Sequence, residues 1–446
     1  MLFYIFLMLF PFVFFPDVGI SKPTPFGTLT PSDYVLPVLY LLLAPCIFRR
    51  SQGLLPKRMA ALYSFFIIWT LISTLLIRFK YPTLMNAREV TIFGLLKLGK
   101  FFEYSFFGYL LVRSLYTTRR IVLFLMSFAA GCLFLSLSLL YTVTTSWDPG
   151  EDSVSKALFM YKANLISVTL AILICFWTAF FLKKTIPLSW NIILIFLGLM
   201  IAAMIATQGR GGWVAAMFGF AFIMFKRKFE LRRINWKKLS IAFVAVIVFS
   251  FLFNHYAAVR RRTLTIIRPN LYAADSTSQI VLRYGLSDGN RFDIFIDSFD
   301  KLGNNPFLGA GFFNRNPQSE LYWSGSHNFF LQMALETGLV GFIALAYIFY
   351  ILWNSTHKKI AAKHLSGVNF DAFKASLLAI IVGCMSGEYL YGGAALLAFS
   401  CIVAIYFSEL NCYTDVNYGY RAVQLRNANG LILTGDKEFA LFSKID

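Results

Sequence analysis

The sequence predicts an all-α protein that crosses a membrane about twelve times, with one span per stretch of roughly 20 apolar residues. Two observations carry this. Of 446 residues, 58% are hydrophobic, 18% aromatic and only 14% charged, whereas an ordinary soluble domain is about 45–50% apolar and about 25% charged. That balance leaves too little polar surface to cover a water-soluble globule, and it excludes a cytosolic enzyme, a disordered chain and a secreted disulfide scaffold. The apolar residues also gather into long runs, and in lipid such runs are helical because every backbone group must find its partner internally.

In order, the runs are 2–15, 33–48, 59–77, 89–112, 121–143, 163–182, 187–207, 213–225, 239–254, 327–353, 372–390 and 392–408. The first is short and holds Pro11. It has neither a basic leader nor a small-residue cleavage site, so a retained span is expected. Cys46, Cys132, Cys175, Cys384, Cys401 and Cys412 lie mostly inside these runs, as small core residues rather than bridges or metal ligands.

The basic residues alternate between connections. Arg49, Arg50, Lys57 and Arg58, then Arg113, Arg119 and Arg120, then Lys183 and Lys184 occupy every second one. The pattern continues with the run Lys226 to Lys238 and with Lys358, Lys359, Lys363 and Lys374. The intervening connections hold far fewer: Lys22, Arg78, Lys80, Arg88, Lys156, Lys162 and Arg210. The positive-inside rule makes the first set cytoplasmic, with both termini inside. The net charge of +19 then reports orientation rather than nucleic acid. The expected organisation is nine spans over 1–254, a long external loop over 255–326, three spans over 327–408 and a cytoplasmic tail over 409–446. No internal repeat is evident.

A loop this long within a compact protein is usually functional. It holds Arg260, Arg261, Arg262 and Arg268 with no acid among them. Two readings stand for these: an anionic ligand at the outer surface, or lipid headgroups. Further on, Ser287 to Arg291 reads as a turn entering a helix whose apolar face is Phe292, Phe295, Ile296 and Phe299. Asp293, Asp297 and Asp300 fall opposite, and the plain reading of that trio is a wet helix face. Pro306-Phe307-Leu308-Gly309-Ala310-Gly311 is turn chemistry that returns the chain to the membrane.

Three motifs sit at the outer edge. Gln208-Gly209-Arg210-Gly211-Gly212-Trp213 joins two spans with almost no loop, and its glycines permit a tight turn and close approach to a ligand. A plain hairpin with a snorkelling Arg and an interfacial Trp is the alternative. The segment from His327-Asn328 opens a helix on which His327, Ala334, Gly338 and Gly341 form one stripe. Ala334 and Gly338 are a small-xxx-small pair expected to admit a neighbouring helix, and Glu336, on the other side, is expected to pair with another span. Lys97, Lys100 and Glu103 recur at i, i+3, i+6 inside a span, where charge is a functional hypothesis by default. Mutual neutralisation of Lys100 and Glu103 is the alternative. No Ser elbow, HExxH motif or Cys/His cluster appears, so no metal or cofactor is expected.

Arg210, Arg291 and His327 thus share an outer face. Arginine presents a planar fork suited to phosphate, and histidine can take a proton from a hydroxyl. The combination suits a lipid-linked diphosphate donor and a hydroxyl acceptor. His327-Asn328, then nine residues, Gly338, two residues and Gly341 resembles the signature of the O-antigen ligase family and the related O-antigen polymerases. The Gln208 to Trp213 turn is similar to that family's short Arg-Gly turn, with Gly209 where Ser is common. The resemblance covers about 190–353 and the twelve-span layout. It implies an all-helical, C-type membrane glycosyltransferase in the bacterial inner membrane, with its site at the periplasmic face. It also implies an undecaprenyl-diphosphate-linked glycan as donor and a sugar of lipid A–core as acceptor. Arg210 and Arg291 match the diphosphate-binding arginines and His327 the base. Lys97, Lys100, Arg260, Arg261 and Asn328 are candidate substrate contacts.

The nearest rival is an O-antigen polymerase, which uses the same donor and a second lipid-linked glycan as acceptor. A twelve-span secondary transporter would show repeated halves. A non-catalytic assembly protein would leave the Arg/His grouping without a purpose.

Overall fold

The computed structural model describes residues 1–14, 22–24, 27–29, 31–46, 57–80, 87–145, 154–182, 190–207, 209–226, 298–299, 302–312, 328–355, 370–385, 387, 390 and 393–428. The helices are α1 (Leu2–Leu9), α2 (Pro31–Leu43), α3 (Lys57–Lys80), α4 (Ala87–Ser114), α5 (Thr118–Thr145) and α6 (Val154–Leu182). They continue with α7 (Trp190–Ala206), α8 (Arg210–Lys226), α9 (Phe329–Asn354), α10 (Phe370–Met385) and α11 (Gly393–Ala428). Each expected run is therefore a helix except 239–254, which lies outside the described residues. A small antiparallel ribbon, β1 (Lys22–Thr24) and β2 (Gly27–Leu29), was not foreseen; Lys22 pairs with Leu29 and Thr24 with Gly27. Helix α11 also runs past the expected span edge, to Ala428.

Among the described residues, five helices are long and apolar enough to cross a membrane: Lys57–Leu76, Thr118–Tyr141, Leu165–Leu182, Phe329–Asn354 and Ala394–Cys412. Four more are apolar but shorter: Leu2–Phe14, Tyr34–Cys46, Asn191–Ala206 and Gly211–Lys226. Helix α4 has the length, but Lys97, Lys100 and Glu103 interrupt its apolar run.

Ring contacts and close helix approaches fix the relative direction of the helices. Helix α6 runs beside α8, since Gly212 abuts Ser167 and Gly219 abuts Cys175. Helix α10 runs against both: Ser376 donates to Ile172 O, while Gly383 lies against Val168 and Ala215. Tyr406 of α11 stacks on Phe373, with ring centroids 4.2 Å apart. Phe222 of α8 meets Trp353 of α9 at 5.9 Å. One end of the bundle therefore gathers Arg113, Arg120, Lys226, Trp353 and Lys374. The opposite end gathers the start of α8, the break of α9 at Gly338 and residues 302–312.

Aromatic side chains fill the middle. Phe6 and Phe10 pack on Phe107 and Phe124. Phe128 continues the cluster onto Trp177, which meets Phe181 and Phe196. Such rings bury large apolar areas and favour offset or edge contacts.

Pro11 has a visible consequence. It ends α1 in a 3-10 turn, Phe10–Phe14, because proline lacks the N–H that would donate to the carbonyl four residues back. That carbonyl belongs to Leu7, and Ser127 Oγ of α5 donates to it at 2.6 Å. An uncompensated carbonyl in apolar surroundings costs about 1–3 kcal/mol. Ser127→Ala is therefore expected to destabilise the protein by about 1–3 kcal/mol in thermal unfolding. Pro11→Ala in the same chain should recover part of the loss, because the new N–H reaches Leu7 O; an additive second loss would overturn this pairing.

Candidate active site

Helix α9 is broken. Gly338 adopts φ 69° and ψ 178° in the middle of the helix, a left-handed φ that glycine takes without steric cost. The stripe of His327, Ala334, Gly338 and Gly341 expected from a continuous helix therefore does not exist as such. Gly338 does not admit a neighbouring helix either. A Cβ there would meet Phe307 O at 2.0 Å, so what the glycine admits is the returning loop end.

The break frees backbone groups, and the return segment and α3 take them. The helical bond from Leu339 N to Leu335 O is exchanged: Leu339 N donates to Pro306 O at 2.7 Å, and Leu335 O accepts from Ala310 N at 2.7 Å. Glu336 O accepts from Gly311 N and from Ser73 Oγ, each at 2.8 Å. Thr337 O accepts from the Trp69 indole at 2.8 Å. The turn of the return segment uses Gly309 and Gly311, with φ 67° and 98°. A Cβ on Gly309 would meet Gly338 N at 2.4 Å, so the two glycines let backbone rest on backbone. Pro306 to Gly311 thus brings the chain back to the bundle as its turn chemistry implied.

Phe312 closes the segment. It is fully buried, its N–H donates to Thr74 Oγ1 at 3.2 Å, and its ring meets Phe101 of α4 edge-on. Gly94 of α4 makes room, since a Cβ there would meet Phe312 O at 2.4 Å.

Asn328 caps α9. Its Oδ1 accepts from Phe330 N at 3.0 Å and Leu331 N at 3.2 Å, the expected use of an Asn before a helix. The Gln332 amide donates to Glu336 Oε1 at 2.7 Å, with both residues buried. Glu336 had been expected to pair with another span; the bond seen here lies within its own helix, because i and i+4 side chains are neighbours on one face.

The α7–α8 turn is anchored from the side. Gly209 O accepts from Ser167 Oγ at 2.9 Å, and Gly212 N donates to Gly209 O at 3.1 Å. A Cβ on Gly212 would meet Ser167 Oγ at 2.0 Å. Trp213 folds back onto α7, its indole donating to Met204 O at 3.4 Å. Arg210 is the first residue of α8; its side chain lies outside the described set.

His327, Arg291, Arg260 and Arg261 also lie outside the described residues, as does the Asp293, Asp297 and Asp300 face. Of that predicted helix, Ser298 is buried and Phe299 is exposed. Lys97 and Lys100 are half-buried on α4, and Tyr40 OH donates to Glu103 O. Among the described residues, no group of three or more His, Cys, Asp or Glu is placed to hold a metal ion.

Sequence reasoning missed Trp69, Ser73 and Thr74. Their signal was a small polar cluster, Thr70, Ser73 and Thr74, inside an apolar span. Such hydroxyls bond across helices where no water competes.

A helical membrane protein with a broken helix clamped by a returning loop is the class these features define. Residues 195–346 match the family model described as O-antigen ligase. The resemblance carried by His327, Asn328, Gly338 and Gly341 falls within the matched residues, and the match supports a membrane enzyme of that general type. No curated protein matches the chain.

Gly338→Ala is expected to destabilise the protein by at least about 2 kcal/mol, from left-handed strain and the clash with Phe307. Gly198→Ala on α7, where an added Cβ meets nothing within 4 Å, should be neutral or stabilising by up to about 1 kcal/mol. Thermal unfolding in detergent compares the two, and equal effects would contradict the break.

Proposed function

We propose that the protein is an O-antigen ligase of the bacterial inner membrane, with its active site at the periplasmic face. It transfers a glycan from undecaprenyl diphosphate to a sugar hydroxyl of lipid A–core. The observation that carries this reading is the family match over 195–346, a stretch that contains Arg210, Arg291 and His327 together.

The geometry adds support. Helix α8 starts at the end of the bundle where α9 breaks at Gly338, and helix N-termini carry positive dipole charge that favours anions. Arg210 opens α8, and His327 directly precedes the cap of α9. In the proposed step, His327 takes the proton of the acceptor hydroxyl, whose oxygen attacks the anomeric carbon. The bond from that carbon to the diphosphate oxygen breaks, and undecaprenyl diphosphate leaves with the electron pair. Arg210 and Arg291 neutralise the charge that builds on the leaving diphosphate. Asn328, with its Oδ1 engaged in capping, fixes the start of the helix behind His327. Lys97 and Lys100 on α4, with Arg260 and Arg261, are proposed as further anion contacts.

A strain lacking the protein tests the reading. Long glycan chains trapped on undecaprenyl diphosphate, with bare lipid A–core, are expected. His327→Ala should reproduce that state, with transfer reduced by about 10²–10⁴-fold. Arg210→Lys and Arg291→Lys keep the charge and lose the fork, and should each lose about 10²-fold. Core capped by one repeat, with no long chains anywhere, would instead mean a polymerase. An unchanged pattern in both pools would overturn O-antigen transfer.

A further inference from the structure

We infer that Ser73 of α3 is a positioning residue for the transfer step; the inference rests on the ligase reading above. Its buried hydroxyl faces two carbonyls from distant parts of the chain. It lies 2.5 Å from Leu308 O in the return segment and 2.8 Å from Glu336 O in α9. A hydroxyl has one proton, so this single donor is shared between the segment that follows Arg291 and the half-helix that follows His327.

The break at Gly338 gives this contact its leverage. The first half of α9, from Phe329 to Thr337, leaves the line of the second half at Gly338 and folds back so that Phe330 meets Phe349, ring centroids 5.9 Å apart. Beside that ring contact, its hydrogen-bonded ties lie next to the break: Ser73 and Trp69 on one element, Ala310 and Gly311 on the other. From Glu336 to Asn328 the helix advances about 12 Å, so a tilt of about 5° moves Asn328, and His327 with it, by about 1 Å. A misplacement of about 1 Å costs on the order of 10²-fold in a positioned reaction. Thr74 holds the other side of the same junction through Phe312 N.

The test uses the full-length protein in lipid nanodiscs, with an undecaprenyl-diphosphate-linked glycan as donor and lipid A–core as acceptor. Ser73→Ala is expected to lower kcat by about 10–100-fold and to leave the donor KM within about 3-fold. Ser73→Cys keeps the shape and a weak donor and should recover part of the loss. Thr70→Ala is the control, because Thr70 is equally buried on α3 but bonds its own helix at Phe66 O; it should keep kcat. A Ser73→Ala kcat within twofold of the unsubstituted protein would overturn the inference. So would an equal kcat loss in Thr70→Ala. Should Ser73→Ala fail to fold, Ser73→Cys decides, with an intermediate kcat supporting the inference and an unchanged one overturning it. Turnover by the unsubstituted protein separates the two ideas: its absence removes the ligase reading and this inference with it, whereas its presence with an indifferent Ser73 removes only the inference.

Discussion

A helix interrupted in apolar surroundings must find new partners for the backbone groups it releases, and much of this structure follows from that requirement. At Gly338 one helical bond is traded for two, Leu339 N to Pro306 O and Ala310 N to Leu335 O. Each unpaired group there would cost several kcal/mol, so the break exists only because the return segment fits against it. That fit needs Gly309 and Gly338 face to face, since side chains on either would hold the two backbones apart. The same logic operates at Pro11, where Ser127 takes the carbonyl that proline leaves. In both places a hydroxyl or an indole from a neighbouring helix stands in for water.

The family-matching stretch is not held by its own contacts alone. Residues 195–346 include the return segment, the break and the α7–α8 turn. Several of the groups that fix them lie outside it. Trp69, Ser73 and Thr74 come from α3, and Gly94 and Phe101 come from α4. Ser167 comes from α6. A family signature can therefore mark the chemistry while residues that govern its geometry sit in segments the signature does not include. The return segment is likewise part of the core: Phe312 is as buried as any residue in the bundle.

The apolar helices were legible because lipid imposes a length and a hydropathy that composition reports directly, though only five among the described residues are long and apolar enough to cross a membrane. Their edges were less so, as α11 shows by continuing to Ala428. The break was not legible. Ala334, Gly338 and Gly341 continue a helical period across it, and periodicity cannot distinguish a glycine that admits a neighbouring helix from one that turns the chain. At Glu336 the expected partner was on another span, and the carboxylate also has Gln332 one turn away on its own helix. Of the candidate site, Asn328 is among the described residues, and its side-chain oxygen caps the helix; the substrate contact expected of it is a proposal. The hydroxyls of α3 read as neutral filler, because their meaning depends on which carbonyls face them.

The basic end of the bundle shows why charge needs its local geometry. Arg120 donates to Ser114 O at the last turn of α4, and its guanidinium lies over the Phe3 and Tyr116 rings, 4.6 and 4.3 Å from their centroids. Arg113 donates to Cys46 O and to the Tyr109 hydroxyl. Lys374 is buried with its ammonium over Trp353. Cations at helix C-termini satisfy carbonyls and complement the dipole, so Arg113 and Arg120 close helix ends as well as contributing to a charge count. A net charge of +19 is accordingly not a measure of polyanion affinity in this protein. Cations that already serve helix ends are committed to the fold. In the proposed function anion recognition falls to arginines outside that set, and Arg210 stands at the start of α8, where the dipole adds to the charge instead of being neutralised by it.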